Sequence, residues 1–375
     1  MNKNHLHFIT YGDGNFSHIE ASLRLLEQAK ATGWFNDAHA FNLDLIAELD
    51  PTWYSAHKKF ISENPRGNGY WIWKPKIIQL MLDLIPENDV LLYLDGGSEL
   101  NTLGEKRFSQ YVDLASNFNL LAFIADEPSY YKLGECTKKQ CLDYFNISLK
   151  QKEVLELNQI EAGCLFIRNC ETSRKFVREW LAIAEEDDYI YLNDFLGDSQ
   201  LPQFKDHRHD QSIFYMLMLR DKDFGIVIGN ENYFPSNWAQ GAHPKGYPIG
   251  LMRNISKDSR LSKMIFLEHQ IGDPIVFNRH SFSLNPLESA DSYAHKIVDQ
   301  ESIRCILLEP SIVKINELYK AIERSTPAFS SRQMDMVLQH TVRDEKSSSD
   351  ITFNQPLFWL RFLRRYLILI EKLIK

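Results

Sequence analysis

The sequence predicts an α/β fold, a mainly parallel sheet flanked by helices, with a smaller, mostly helical C-terminal region behind it. Three observations carry this. Apolar runs of strand length alternate with longer stretches of helical spacing. The run Val90-Leu91-Leu92-Tyr93-Leu94 is continuously apolar, which suits a strand covered on both faces. The chain has 375 residues, 44% hydrophobic and 25% charged, a globular balance that excludes wholesale disorder and leaves enough apolar side chains for a large core.

The elements follow in order. Leu6 to Tyr11 reads as a short buried strand, Gly12-Asp13-Gly14-Asn15 as a turn, and the spacing from Ile19 through Ala29 as a helix. Ala38 to Leu45 predicts a second strand. A long helix begins near Pro75, because a first helical turn tolerates proline, and Pro86-Glu87-Asn88-Asp89 ends it. After the strand at Val90–Leu94 come strands over Leu120–Ile124 and Ala162–Ile167, and a helix from Ser173 to Ala184. Asp206 or Asp210 reads as the N-cap of a helix carrying Ile213 to Leu219.

From Asn254 the pattern changes. A strand is expected at Ile303–Leu308 and helices at Ile312–Ile322 and Ser331–Thr341, then a polar run and the segment Leu357–Lys375. The expected divisions are an α/β domain over 1–255, an accessory region over 256–344, a linker over 345–356 and a basic amphipathic helix over 357–375.

Charge and cysteines narrow the class. Lysine plus arginine total 42 and aspartate plus glutamate 50, a net of −8, which argues against nucleic acid as a partner. The five cysteines are odd in number and none has zinc-site spacing, so they read as reduced thiols of a cytoplasmic protein. No leader is expected before the first strand, and no uncharged apolar run is long enough to span a membrane. The final segment differs. Arg361, Arg364, Arg365, Lys372 and Lys375 stand against Glu371 alone, among large apolar residues. Such a helix lies in a membrane interface, so an anionic surface at the inner face of the cytoplasmic membrane is an expected partner.

Candidate chemistry gathers at a few places. Asp95 sits where an apolar strand stops, and open α/β sheets bind ligands beyond the carboxyl ends of their strands. An aspartate there can hold a divalent cation, and the cation can neutralise a diphosphate. Gly96 and Gly97 let a ligand approach, and Glu99 adds a second carboxylate. Asp206-His207-Arg208-His209-Asp210-Gln211 is the densest polar cluster. It reads as a metal site or a polar wall, although histidines two apart suit opposite faces of a strand better than one metal. Glu161 precedes Ala162-Gly163, a carboxylate beside small residues. In Arg66 to Pro75, glycines and tryptophans stand with Arg66 and Lys74, two cations that suit phosphate. Gly12-Asp13-Gly14 is no dinucleotide fingerprint, since Ser17 stands where the third glycine belongs, and neither a phosphate loop nor a nucleophile elbow is found.

Taken together, Tyr11-Gly12-Asp13-Gly14, Arg66 to Pro75, Tyr93 to Glu99, Gln159 to Gly163 and His207 to Ile213 resemble, in this order, a group of bacterial glycosyltransferase-like proteins of surface-glycan synthesis. That group is distantly similar to the sugar-nucleotide transferases of the GT-A fold, a Rossmann-type sheet, and among them to the glycogenin-like family. The resemblance implies transfer of a sugar, of hexosyl type, from a nucleotide-diphosphate sugar to a glycan or lipid-linked acceptor, with Mn²⁺ or Mg²⁺ as cofactor. Asp95 matches the first aspartate of the Asp-x-Asp motif, and Gly97 stands where the second would be. Glu99 and His243 are then expected to complete the metal site with Asp95, since His243-Pro244-Lys245-Gly246 resembles the family's late histidine element. Tyr11, Arg66, Lys74, Asp95 and Gly97 are implied at the donor, and Asp210, Gln211 and Glu161 at the reacting sugar and acceptor. Two rival readings are a non-catalytic carbohydrate-binding protein of the same fold and a metal-dependent hydrolase built on His207 to Asp210.

Overall fold

The computed structural model describes residues 5–124, 132–197, 199–221, 224–229, 231, 241–267 and 276–277. The expectations for the strand at Ile303, the two later helices, the linker and the basic tail lie outside these residues.

The chain opens with β1 (Leu6–Tyr11) and α1 (Phe16–Thr32). The helix starts earlier than its apolar spacing suggests, because Asn15 caps it by accepting from the His18 N–H at 2.9 Å. Then come β2 (Asp37–Phe41), α2 (Leu43–Leu49) and α3 (Pro51–Glu63). The expected strand to Leu45 stops at Phe41 because Asn42 accepts from the Leu45 N–H at 2.8 Å and starts a helix. Asp50 caps α3 in the same way through Trp53, with Pro51 in the first turn.

A single tight turn, α4 (Gly67–Tyr70), leads into α5 (Trp73–Leu84), with Pro75 in its first turn as expected. Next are β3 (Val90–Leu94), the two-residue β4 (Glu99–Leu100), α6 (Glu105–Phe118) and β5 (Leu120–Ile124). Three short helices, α7 (Leu133–Cys136), α8 (Lys139–Tyr144) and α9 (Lys152–Leu155), precede β6 (Ile160–Arg168), α10 (Glu171–Tyr189) and α11 (His209–Arg220). The described chain closes with β7 (Ile226–Ile228), β8 (Ala242–Pro244), β9 (Ile249–Gly250), β10 (Ile265–Leu267) and β11 (Val276–Phe277).

Seven strands form the central sheet in the order β11-β7-β5-β6-β3-β1-β2. β1 pairs in parallel with β2 and β3, and β5 with β7. β6 runs against both of its neighbours. The cause is the path of the chain. β5 ends at Ile124, and β6 begins beside it, with Ile160 opposite Ile124, so the strand has to run back down. The fold is therefore the mainly parallel, helix-flanked α/β layer read from the sequence, with one interior strand reversed.

Both faces of the sheet are covered, which is why β3 is buried at every residue. On one face Phe8, Leu92 and Phe166 pack with Leu25 of α1 and Phe108 and Tyr111 of α6. On the other, Ile9, Tyr93 and Leu165 pack with Ile77 of α5, Trp180 of α10 and Phe214 of α11. Each such side chain contributes about 1.5–3 kcal/mol by leaving water. Cys136, Cys141, Cys164 and Cys170 are buried and free. Among the described residues, no helix is long and apolar enough to cross a membrane.

Candidate functional site

A cleft of about 770 Å³ opens at the carboxyl ends of β1 and β3. Tyr11, Trp71, Trp73, Asp95, Glu161 and Arg253 are among its lining residues. The reversed β6 is what brings Glu161 here. Its first residues reach the edge where its neighbours end, and the Asp95 N–H donates to the Gly163 carbonyl at 2.9 Å. A Cβ at Gly163 would stand 2.7 Å from Asp95 Oδ2, so a side chain there would push the Asp95 carboxylate aside.

Lys74, in the first turn of α5, is 4% exposed and lies beneath Asp95. Its Nζ stands 2.9 Å from Asp210 Oδ2 and 3.5 Å from Asp95 Oδ1. Burial by itself would lower its pKa, but Asp210 and Asp95 outweigh that and hold the ammonium above its ordinary value. The Tyr93 hydroxyl donates to Asp95 Oδ1 at 2.5 Å. Burial, then Asp95, drives the Tyr93 pKa far up, so the phenol keeps its proton.

Asp210 sits in the first turn of α11, where the Trp180 indole N–H donates to its backbone carbonyl at 3.0 Å. Neither Asp210 nor Asp206 caps this helix. Arg208 holds the N-cap position without a side-chain bond, and the Asp210 carboxylate faces Lys74 instead. Burial raises the Asp210 pKa to about 6, against the pull of Lys74.

Glu161 is 4% exposed, and neither of its carboxyl oxygens has a hydrogen-bond partner among the described residues. Burial, then Asp95, pushes its pKa up to about 8, while Arg253 works against the rise. The carboxyl is therefore neutral at pH 7. An unsatisfied, nearly buried polar group facing a cleft is costly.

The remaining expected donor contacts divide. Tyr11 stacks on Trp73 at 3.6 Å between centroids, and its hydroxyl accepts from Asn68 Nδ2 at 2.6 Å. Burial, then Asp13, raises its pKa. Gly97 and Gln211 line the cleft. Arg66 is not brought to it. Its guanidinium pairs with Asp194 at 2.9 Å and with Asp206 at 3.4 Å, tying the turn before α4 to the segment ahead of α11.

The expected metal set is not assembled. Glu99 is fully buried, and its oxygens accept from Asn254 Nδ2 at 2.7 Å, Ser259 Oγ at 2.5 Å and the Arg260 N–H at 2.7 Å. Burial pushes its pKa up, but these bonds outweigh that and keep it low. His243 is buried in β8, where its Nε2 meets the Tyr247 carbonyl at 3.2 Å. Neither lines the cleft beside Asp95. His207 Nε2 and His209 Nδ1 donate to the carbonyls of Tyr191 and Leu192 at 2.9 and 2.7 Å, in a folded loop and helix start rather than a strand. Burial lowers the pKa of both rings, and they are neutral struts. Among the described residues no three His, Cys, Asp or Glu side chains are grouped to hold a metal ion. The described residues therefore do not fit the expected divalent cation.

Two participants are not among the expected site residues. Tyr93 belongs to the apolar run and to the Tyr93 to Glu99 motif, and no role is expected of its hydroxyl, two residues before Asp95. Arg253 lines the cleft with Leu251 and Ile255, while Met252 and Asn254 between them are buried. That alternation is visible in the sequence, but its orientation toward the cleft is not.

No family model and no curated protein matches the chain. Among solved structures, it is similar to a glycosyltransferase involved in the glycosylation of the major capsid of PBCV-1, with 12% identity over 69% of this chain and 96% of that one, at a TM-score of 0.38. It is also similar to mouse xyloside xylosyltransferase 1 in its apo form, with 13% identity over 61% and 86% of the two chains, at a TM-score of 0.33. Likenesses this slight do not bear on activity.

Proposed function

We propose that this chain is a glycosyltransferase that moves a sugar, of hexosyl type, from a nucleotide-diphosphate sugar to a glycan or lipid-linked acceptor in bacterial surface-glycan synthesis. The observation that carries the reading is the Lys74 ammonium buried between Asp95 and Asp210, at the edge of a cleft that Glu161 also lines. In such a transfer the bond from the anomeric carbon to the phosphate oxygen breaks, and its electron pair leaves with the diphosphate. The acceptor oxygen bonds to the anomeric carbon, and its proton passes to a base. Asp210, with a pKa of about 6, is ionised at neutral pH, but it is buried and does not line the cleft, so its part is to fix Lys74 rather than to take that proton. Glu161, held neutral, can both donate to and accept from sugar hydroxyls. Asp95 shares its charge with Lys74 and Tyr93 and fixes the donor's end of the cleft. Cytoplasmic placement at a membrane surface belongs to the same proposal and is supported by the basic, apolar sequence of Leu357–Lys375.

Asp95→Asn is the direct test, because this half-exposed side chain can lose its charge without unfolding the core. With a panel of nucleotide sugars, the wild-type chain should release the nucleoside diphosphate, and Asp95→Asn should slow this by about 100-fold or more at unchanged melting temperature. Full turnover by the variant would overturn the assignment. Nucleotide-sugar binding without turnover by either chain would favour the carbohydrate-binding reading.

A further inference from the structure

The Asp-x-Asp resemblance places an aspartate at position 97, and the structure gives a reason for glycine there. The segment carrying Arg253 passes directly over it. A Cβ at position 97 would lie 3.0 Å from Arg253 Cα and 3.3 Å from its carbonyl carbon. The Asn254 N–H donates to the Gly97 carbonyl at 2.9 Å, which locks the close approach. A side chain at 97 fits only if the Arg253 segment gives by a few tenths of an ångström.

Arg253 is held there under constraint. Its φ is 50°, in the left-handed region that residues with a Cβ adopt only when their surroundings impose it. The constraint is built from two buried charges behind it. Arg24 donates to the carbonyls of Gly96 and Ser98 on the Asp95 side and to those of Asn254 and Ser256 on the Arg253 side, at 2.7–3.0 Å. Glu99 accepts from Asn254, Ser259 and Arg260 in the same segment. Arg24 and Glu99, the latter expected to bind a metal, instead clamp an arginine against the loop that follows β3.

We infer that the diphosphate of the ligand is met by side-chain cations, with the Arg253 guanidinium in contact and the Lys74 charge beneath Asp95, in the place that a carboxylate-bound metal takes in the resembled motif. This rests on the reading of the cleft as a nucleotide-diphosphate sugar site. The chemistry is suited to it. The guanidinium fork matches phosphate oxygens two at a time, and the ammonium under the floor offsets the Asp95 and Asp210 carboxylates that would otherwise repel the diphosphate.

The test is calorimetric binding of UDP, GDP, ADP and CDP to the full chain, in EDTA and in Mn²⁺ or Mg²⁺. At least one diphosphate should bind equally well with and without the metal. Arg253→Asn, which removes the charge but tolerates the left-handed backbone, should weaken that binding roughly 10- to 100-fold. Arg253→Lys should weaken it less, and the matching nucleoside, which lacks phosphate, should bind wild type and both variants alike. Diphosphate binding that requires the divalent cation, or binding unchanged in Arg253→Asn, overturns the inference while leaving the donor site standing. Failure of every diphosphate to bind under both conditions overturns the donor-site reading itself, and this inference with it.

Discussion

Glu161 is an acid whose proton the fold retains, and that has a consequence for stability. Its ordinary pKa is 4.5, and in the folded chain it is about 8. Between those values the native state holds a proton that the unfolded state has released, so stability falls as pH rises through this window, by at most about 1.4 kcal/mol per pH unit. Below the window both states are protonated and nothing is lost. Asp210, raised to about 6, adds a shorter slope of the same sign. Urea unfolding at several pH values should therefore show a wild-type chain that weakens from about pH 6.5 toward pH 8, and Glu161→Gln should flatten the curve in that window; below it His207 and His209, held neutral, act with the opposite sign to Asp210. An unchanged slope in Glu161→Gln would mean that the carboxyl is not held neutral by burial.

At the scale of elements, Arg24 joins three pieces, α1, the loop after β3 and the segment after β9. Its guanidinium is nearly buried and donates to four carbonyls. Arg24→Met keeps much of the stem's packing but strands those carbonyls, with an expected cost of about 3 kcal/mol. Hydrogen exchange should then quicken selectively in residues 250–261, with β3 and β6 still protected; uniform loss of protection would instead indicate global unfolding. Such elements are legible in the sequence, or are not, for physical reasons. Val90–Leu94 is legible because a strand buried on both faces needs an unbroken apolar run. The direction of β6 is not, because side-chain periodicity is the same in either direction and only the shared edge of Ile124 and Ile160 sets it. α3 goes unread because it buries little beyond Trp53 and Ile61, so its stripe is faint although Asp50 and Pro51 mark its start. Within the site, Asp95, Lys74, Glu161 and Asp210 are legible as motif positions. Glu99 and His243 mislead, because a carboxylate or an imidazole does not announce which partner will claim it. Arg253 becomes meaningful only once distant Gly97 lies beneath it.

The whole molecule carries an uneven charge. Its net is −8, yet Leu357–Lys375 holds five cations and one anion, so the remainder is more acidic than the total suggests. If that segment serves as a surface anchor, the full chain should co-sediment with vesicles containing phosphatidylserine and release as salt is raised, and a chain ending before Leu357 should stay in solution. Equal partitioning of the two chains would remove the segment from any membrane role. The contact of Gly97 with Arg253 reaches further, into how such a protein can change over time. A chain with an aspartate at 97 would need the Arg253 segment to give by a few tenths of an ångström, so the two positions are coupled through that contact. Substitutions at positions 97 and 253, far apart in the chain, should therefore be non-additive.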